Sequence, residues 1–166
     1  MTLKSNRLNA MVKILISSFG LIFATWLAVF GYLVAPTLFS SLDSVQAGNQ
    51  VGKLLSATNF ILLAALLILV IAKSFFLKTL ASIWMLLLSA LIVIVSEFWL
   101  TPKMQLIKEQ YPQGILKSSE HWHSFMAMHG VYQLLFLTLI LLLVVWSLAN
   151  LNRLFLENQL DDKKSL

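Results

Sequence analysis

The sequence predicts an all-α integral membrane protein, folded as one bundle of four transmembrane helices. Hydrophobic residues make up 59% of the 166 positions and charged residues only 11%, whereas a soluble domain carries about 25% charged residues. The mean hydropathy is +0.86. Four apolar segments reach the length of about 20 residues that a helix needs to cross a bilayer; they are residues 14–34, 54–72, 80–100 and 125–149.

The first span follows a basic tail, residues 1–13, as a signal peptide would. Its apolar run is longer than the roughly 7–15 residues of a signal-peptide core, and Pro36 stands where a cleavage site is expected. We therefore expect an uncleaved helix.

The second and third spans are joined by a very short connection that contains Lys73 and Lys78. Such a connection predicts a tight antiparallel hairpin of helices. The fourth span is followed by a polar tail, residues 150–166. The predicted organisation is thus one transmembrane domain, residues 14–149, between two tails.

The distribution of Lys and Arg predicts a multi-pass protein of the cell inner (plasma) membrane with both termini in the cytoplasm. Eight basic residues belong to the tails and the short connection: Lys4, Arg7, Lys13, Lys73, Lys78, Arg153, Lys163 and Lys164. Four belong to the other two connections: Lys53, Lys103, Lys108 and Lys117. Basic residues collect on the cytoplasmic side of membrane proteins. The net charge of +5 thus indicates contact with the lipid bilayer, and no nucleic-acid partner is expected.

The first outward-facing connection is predicted to be helical. Pro36 is a favoured first helical residue, and an apolar repeat follows it. The helix would lie on the outer surface or lead into the second span; a solvated loop is the alternative. Gly48, Gly52 and Ser56 are spaced four residues apart, which lets another helix approach closely.

The second outward-facing connection is predicted to begin as a continuation of the third span. A proline at position 102 removes only one backbone hydrogen bond near the helix end. A turn is expected at residues 111–114, and Ser118 or Ser119 is expected to cap the fourth helix.

The most informative polar residues lie inside the spans. Glu97, His129, Asn59 and Tyr32 fall at one depth in the outer third of the membrane, one on each helix, and Gln133 extends the polar face of the fourth helix. Polar groups that face lipid are costly, so we expect Glu97 to face the bundle and to lie within direct hydrogen-bond or one-water reach of His129, with Asn59 or Tyr32 completing the hydrogen bonds. The arrangement can serve packing or a functional site, and Glu97 is also close enough to the interface to reach water.

The stretch that opens the fourth helix suggests, more weakly, a soft metal such as Cu(I). Its possible ligands are His121, His123, Met126 and Met128. Residues two apart on a helix point in different directions, so these side chains do not converge easily. We expect no metal and no cofactor. Cysteine is absent, which excludes disulfides and a cysteine nucleophile, and no catalytic set is recognisable; we expect no enzyme activity.

Two classes of function follow. Small residues recur on the first helix at Gly20, Ala24 and Ala28 and on the third at Ser82, Ser89 and Ser96, and such stripes let helices pack closely in lipid. They favour a non-enzymatic membrane component that assembles with a membrane-protein partner or as a homo-oligomer. The alternative is a small transporter or permeability factor with an outward-facing polar site at Glu97 and His129. A metal-handling or cofactor-handling protein is third.

Four short motifs carry a family resemblance: APTLFSSL, AGNQVGKLL, TPKMQ and MHGVYQLL. In this order they resemble the transmembrane protein 205-like family, also described as domain of unknown function 4149. The matching positions are Pro36, Phe39, Ala47, Gly48, Gly52, Pro102, Met104, His129 and Gly130. The resemblance runs over about residues 15 to 148. It implies a four-helix integral membrane protein without an established activity.

The chain departs from the family pattern after the histidine of the last motif. The family often has a serine three residues later and an asparagine further along, where this chain has Tyr132 and Phe136. Any polar network that the family builds from those positions must be rearranged here.

Overall fold

The computed structural model describes residues 2–76 and 83–164, which are helical apart from two connections and contain no strand. The helices are α1 (Thr2–Val29), α2 (Ala35–Ser41), α3 (Ser44–Phe76), α4 (Ile83–Val95), α5 (Thr101–Gln110) and α6 (Trp122–Lys164). Two π-helical segments of five residues, Phe30–Val34 and Ser96–Leu100, join α1 to α2 and α4 to α5. We call them the first and second π-turns.

Four helical rods are long and apolar enough to cross a membrane, which confirms the predicted fold class. They are Met11–Ser41, Ser44–Phe75, Ile83–Gln110 and Trp122–Glu157. The first three are longer than the predicted spans because the outer connections are largely helical, as expected. The fourth is longer mainly because α6 continues beyond residue 149 at the opposite end. We call the end of the bundle that carries the α2–α3 and α5–α6 connections the outer end, and the opposite end the inner end.

The helices pack in a ring, with α1 against α3 and α6, and α4 against α3 and α6. Helices α3 and α6 are therefore diagonal to one another. The contact of α3 with α4 agrees with the predicted hairpin. The connection between these two helices, residues 77–82, lies outside the described residues, and so does the start of the third predicted span. The core between the four rods is apolar and contains Leu27, Leu62, Leu66, Leu86, Leu143 and Trp146.

Each π-turn precedes a proline by the same distance, which explains why it forms. Proline has no backbone N–H, and its ring collides with the carbonyl four residues earlier in an α-helix. A π-turn widens the helix and bonds each amide to the carbonyl five residues back. The N–H of Ala35 bonds Phe30 O, and that of Thr101 bonds Ser96 O. The rods therefore continue past both prolines.

The first outer connection is helical except for two residues between α2 and α3, Leu42 and Asp43. Leu42 has an extended backbone (φ −124°, ψ 162°), and Asp43 then caps α3. Its Oδ1 accepts hydrogen bonds from the N–H groups of Val45 (3.0 Å) and Gln46 (2.9 Å). The prediction of a helix that leads into the second span is confirmed.

The second outer connection forms the predicted turn but not the predicted cap. Gly114 N donates to Tyr111 O at 2.9 Å, and Gly114 has a φ of +104°, which glycine adopts without strain. The helix α6 begins at Trp122, so the cap predicted at Ser118 or Ser119 is wrong. The hydroxyl of Ser119 instead accepts from Leu116 N (3.0 Å) in the preceding turn.

The small-residue stripes pack inside the bundle. Gly20 and Ala24 lie where α1 crosses α6, and a Cβ on Gly20 would be 2.9 Å from Leu143 O. Ser89 and Ser96 are buried on the other rod; Ser82 lies outside the described residues. The surface around the bundle is rich in exposed apolar side chains, as lipid contact requires; examples are Ile22, Trp26, Ile61, Leu67, Trp84 and Leu134.

Candidate functional site

Glu97 lies in the second π-turn and faces the bundle, with 8% of its surface exposed. Ser56 Oγ donates a hydrogen bond to its Oε1. Asn59 Nδ2 donates to its Oε2 at 2.9 Å and also contacts the hydroxyl oxygen of Tyr132 at 3.1 Å. The predicted contact of Glu97 with Asn59 is therefore present. We call these four residues the outer network.

The helices bring the outer network together in a simple way. Ser56 and Asn59 are three residues apart and share one face of α3. The second π-turn shifts the rotation of the chain and places Glu97 opposite them; such turns are frequent at functional sites. The phenol of Tyr132 reaches Asn59 from α6, across the diagonal. The sequence hypothesis missed Ser56, although its position one turn before Asn59 on α3 is a visible signal.

The predicted pair of Glu97 with His129 is wrong as a direct contact, because no hydrogen bond or ion pair joins them among the described residues. His129 is exposed; its Nε2 accepts from Gln133 Nε2 at 3.2 Å, and its ring stacks on Phe125 with centroids 6.2 Å apart. Tyr132 explains the difference. It turns toward the core, and on an α-helix the preceding histidine then points about 60° away.

Tyr32 does not complete the network. It lies in the first π-turn with 64% of its surface exposed, on the outside of the bundle. Of the two residues expected to complete the hydrogen bonds of Glu97, Asn59 therefore does so and Tyr32 does not. Gln133 is also exposed and contacts His129 alone among the predicted site residues.

The packing on the outer side of the network is loose. A Cβ built on Gly52, one turn before Ser56 on α3, would meet no neighbouring helix within 4 Å, and Ser56 itself is only half-buried. One turn further out, Lys108 Nζ donates to Gly48 O at 3.2 Å and ties α5 to α3. A Cβ on Gly48 would meet only the side-chain ends of Lys108 at 3.7 Å and Phe39 at 4.0 Å, so the predicted close helix approach is found neither there nor at Gly52.

The other positions of the family motifs lie in the same outer half of the bundle. Pro36 and Pro102 follow the two π-turns, Phe39 is exposed on α2, and Met104 is half-buried on α5. Gly130 on α6 has no atom within 4 Å of a built Cβ.

The weak metal-ligand candidates are spread over the start of α6. His121 Nδ1 is 3.1 Å from the hydroxyl of Tyr111. His123 and Met126 are exposed, and Met128 is half-buried. Within residues 2–76 and 83–164, no three His, Cys, Asp or Glu side chains are grouped so that they could hold a metal ion.

A second polar cluster, which we call the inner network, lies near the inner end. Lys73 is 1% exposed; its Nζ donates to Asn150 Oδ1 at 3.0 Å and lies 5.8 Å from the ring centroid of Trp146. Asn150 Nδ2 donates to Trp146 O at 2.6 Å. The interpretation of Lys73 as a basic group at the membrane surface is wrong. Without it, the sequence count of basic residues for the predicted cytoplasmic side falls from eight to seven, against four for the other side.

A comparison with protein families matches residues 18–113 to the family described as "Domain of unknown function (DUF4149)". The match begins within the first rod, covers the second and third rods, and ends in the turn after α5. No curated protein and no solved structure matches the chain.

Proposed function

The chain belongs to the DUF4149 family of domains of unknown function, and we propose that it is a non-enzymatic membrane component that assembles with another transmembrane helix. It is a multi-pass membrane protein by its four apolar rods. The proposal includes the finer relationship to transmembrane protein 205-like proteins, and an inner-membrane location with both termini in the cytoplasm. A C-terminal reporter fusion tests the orientation; a reporter active only outside the cytoplasm would contradict it.

The exposed pair of His129 and Gln133 supports assembly best. Both side chains lie on the outside of α6, within a segment apolar enough to cross the membrane. Their mutual contact uses one ring nitrogen and the amide nitrogen, and lipid tails offer nothing to their other polar atoms. A partner helix with a hydrogen-bonding side chain would satisfy them. Such an interhelical bond contributes about 0.6 kcal/mol on average and up to about 1.7 kcal/mol.

Photocrosslinking in native membranes tests this proposal. A photoreactive residue at Leu137, exposed one turn below Gln133, should give defined adducts. The double variant His129→Leu, Gln133→Leu should lose them, while the fold persists because both positions are exposed. A photoreactive residue at the exposed Leu67 of α3 is the matched control. Mass spectrometry of the adducts separates a second copy of this chain from another protein. Equal adducts at both positions, or adducts that survive the double variant, would refute a specific surface.

The second candidate is a small transporter or permeability factor. The burial of Glu97 among hydrogen-bonding side chains supports it. Four helices enclose little space, so transport would need several copies. Glu97→Gln should then abolish the cellular phenotype of the protein without unfolding it, whereas an assembly component should tolerate that change. A metal-bearing sample after purification in mild detergent would instead support the third possibility, metal handling.

A further inference from the structure

Glu97 is a buried acid whose charge is not balanced by a cationic side chain in the described part of the chain. Its hydrogen-bond donors, Ser56 and Asn59, are neutral. The ion pair found among the described residues joins Arg153 to Glu157, far along α6. An isolated ionised carboxylate is costly to keep in an apolar interior, and a proton or a cation removes that cost.

The other ionisable groups on the surrounding helices do not supply the missing charge. They are Tyr132 and His129 of α6, Lys103 and Lys108 of α5, and Lys53 of α3. Tyr132 is a phenol, neutral at physiological pH, and His129 turns outward. The ammonium of Lys108 is engaged at Gly48, two helical turns outward of Ser56 on α3. Lys103 lies over the Trp99 ring, and Lys53 is exposed.

The arrangement of hydrogen bonds fits a proton better than a metal cation. Asn59 presents its N–H group to both Glu97 and Tyr132; a hard cation would require oxygen atoms there. The hydroxyl of Ser56 can donate to an ionised carboxylate or accept from a protonated one. The same side-chain positions therefore serve both states, and only the Ser56 hydroxyl rotates.

The packing around this carboxyl differs between the two ends of the bundle. Toward the outer end, Ser56 is half-buried and a Cβ on Gly52 would meet no neighbouring helix within 4 Å. Toward the inner end, the core is closed by fully buried apolar side chains: Leu62, Leu66, Leu86 and Leu143.

We propose that Glu97 is a proton-binding site that exchanges with the outer aqueous phase past Ser56 and Gly52 and is sealed from the inner side. A hydronium ion transfers its proton to Oε1, the carboxylate becomes a carboxylic acid, and water is the other product. The proposal does not rest on assembly through α6. A transporter would use such a site, but proton binding is measurable without transport.

Infrared difference spectroscopy of the full chain in lipid nanodiscs tests the proposal. Stepping the bath from alkaline to acidic pH should add C=O stretching bands of protonated carboxyl groups, with a shift in D2O. Seven Asp and Glu side chains contribute, so the band of Glu97 is the component that is present in the native chain and missing in Glu97→Gln. The matched control is Glu109→Gln, which removes an exposed carboxyl from α5 and should leave that component in place. A Glu97→Gln spectrum equal to that of the native chain over the whole pH range would overturn the proposal.

Two further variants keep the test decisive if Glu97→Gln fails to fold. Ser56→Ala retains the carboxyl group but removes its hydrogen-bond partner, so the band should move in frequency. Gly52→Leu fills the open space, so the band should rise more slowly after a pH jump. An unmoved band in Ser56→Ala would show that the titrating carboxyl is not Glu97. An unchanged rate in Gly52→Leu would overturn the proposed access route.

Discussion

Gly20→Ala should destabilise the bundle where α1 crosses α6. The added Cβ would lie 2.9 Å from the backbone oxygen of Leu143 and 3.1 Å from Cε3 of Trp146, and it would also meet Ser147. Leu143 and Trp146 are fully buried, so neither can move aside and α1 must shift. Overpacking of this kind costs about 1–3 kcal/mol. Alanine is better than glycine in a helix by about 0.8–1.0 kcal/mol, so the net loss should be about 0–2 kcal/mol.

Gly52→Ala is the matched control, because its Cβ would meet no atom within 4 Å. It keeps the gain in helix propensity, about 0.8–1.0 kcal/mol, without the collision. The difference between the two variants therefore isolates the overpacking of about 1–3 kcal/mol. Unfolding in dodecylmaltoside by added SDS, followed by tryptophan fluorescence and far-UV circular dichroism, measures both. Equal stability of the two variants would refute the close α1–α6 contact.

Three further predictions concern polar contacts, each measured by the same SDS titration. Glu97→Leu should cost more than Glu97→Gln. Leucine removes the acceptor of the buried Asn59 amide, at about 1–3 kcal/mol, and that of the half-buried Ser56 hydroxyl, whereas glutamine can still bond to both; equal losses would contradict the outer network. Lys73→Met removes a buried ammonium but leaves Asn150 Oδ1 without its donor, so it should cost less than Asn150→Leu. Asn150→Leu should cost about 1.5–3 kcal/mol, because it deprives the buried Lys73 ammonium of its acceptor; the reverse order would count against the inner network. Asp43→Ala should cost about 0.5–2 kcal/mol through loss of the α3 cap, and no loss would show that α3 does not need it.

The four rods and the inward rotation of Glu97 were predictable because the bilayer imposes both. A span needs a minimum apolar length, and an acid that faces lipid is costly. Neither argument depends on which helices are neighbours. The helical connections were predictable for a related reason, since prolines at the start of α2 and α5 are compatible with a helix.

The contact partners were not predictable to the same degree. His129 and Tyr132 point about 60° apart on α6, and which of them faces the core depends on the hydrogen bond between Tyr132 and Asn59 of the diagonal helix α3. The burial of Lys73 depends on Asn150, which is 77 residues away in the sequence. A count of basic residues treats every lysine at the end of a span as solvated. Lys73 instead finds a hydrogen-bond acceptor on the diagonal helix, at Asn150.

The two networks have a common architectural role. Helix α3 contributes Asn59 to one and Lys73 to the other, 14 residues or about 21 Å apart along the helix. Each residue bonds to the diagonal helix α6, through Tyr132 at the outer end and Asn150 at the inner end.

Because apolar burial does not drive helix association in lipid, such contacts carry much of the specificity. These two hydrogen bonds, at opposite ends of the bundle, fix both the depth and the rotation of α6 relative to α3. Sliding or turning α6 would break the two hydrogen bonds together. The orientation that buries Tyr132 is the one that turns His129 and Gln133 outward. The outer network thereby determines which polar face α6 offers to a partner. Protonation of Glu97 would change the hydrogen bonds of Asn59, the residue that holds Tyr132 and so fixes the rotation of α6.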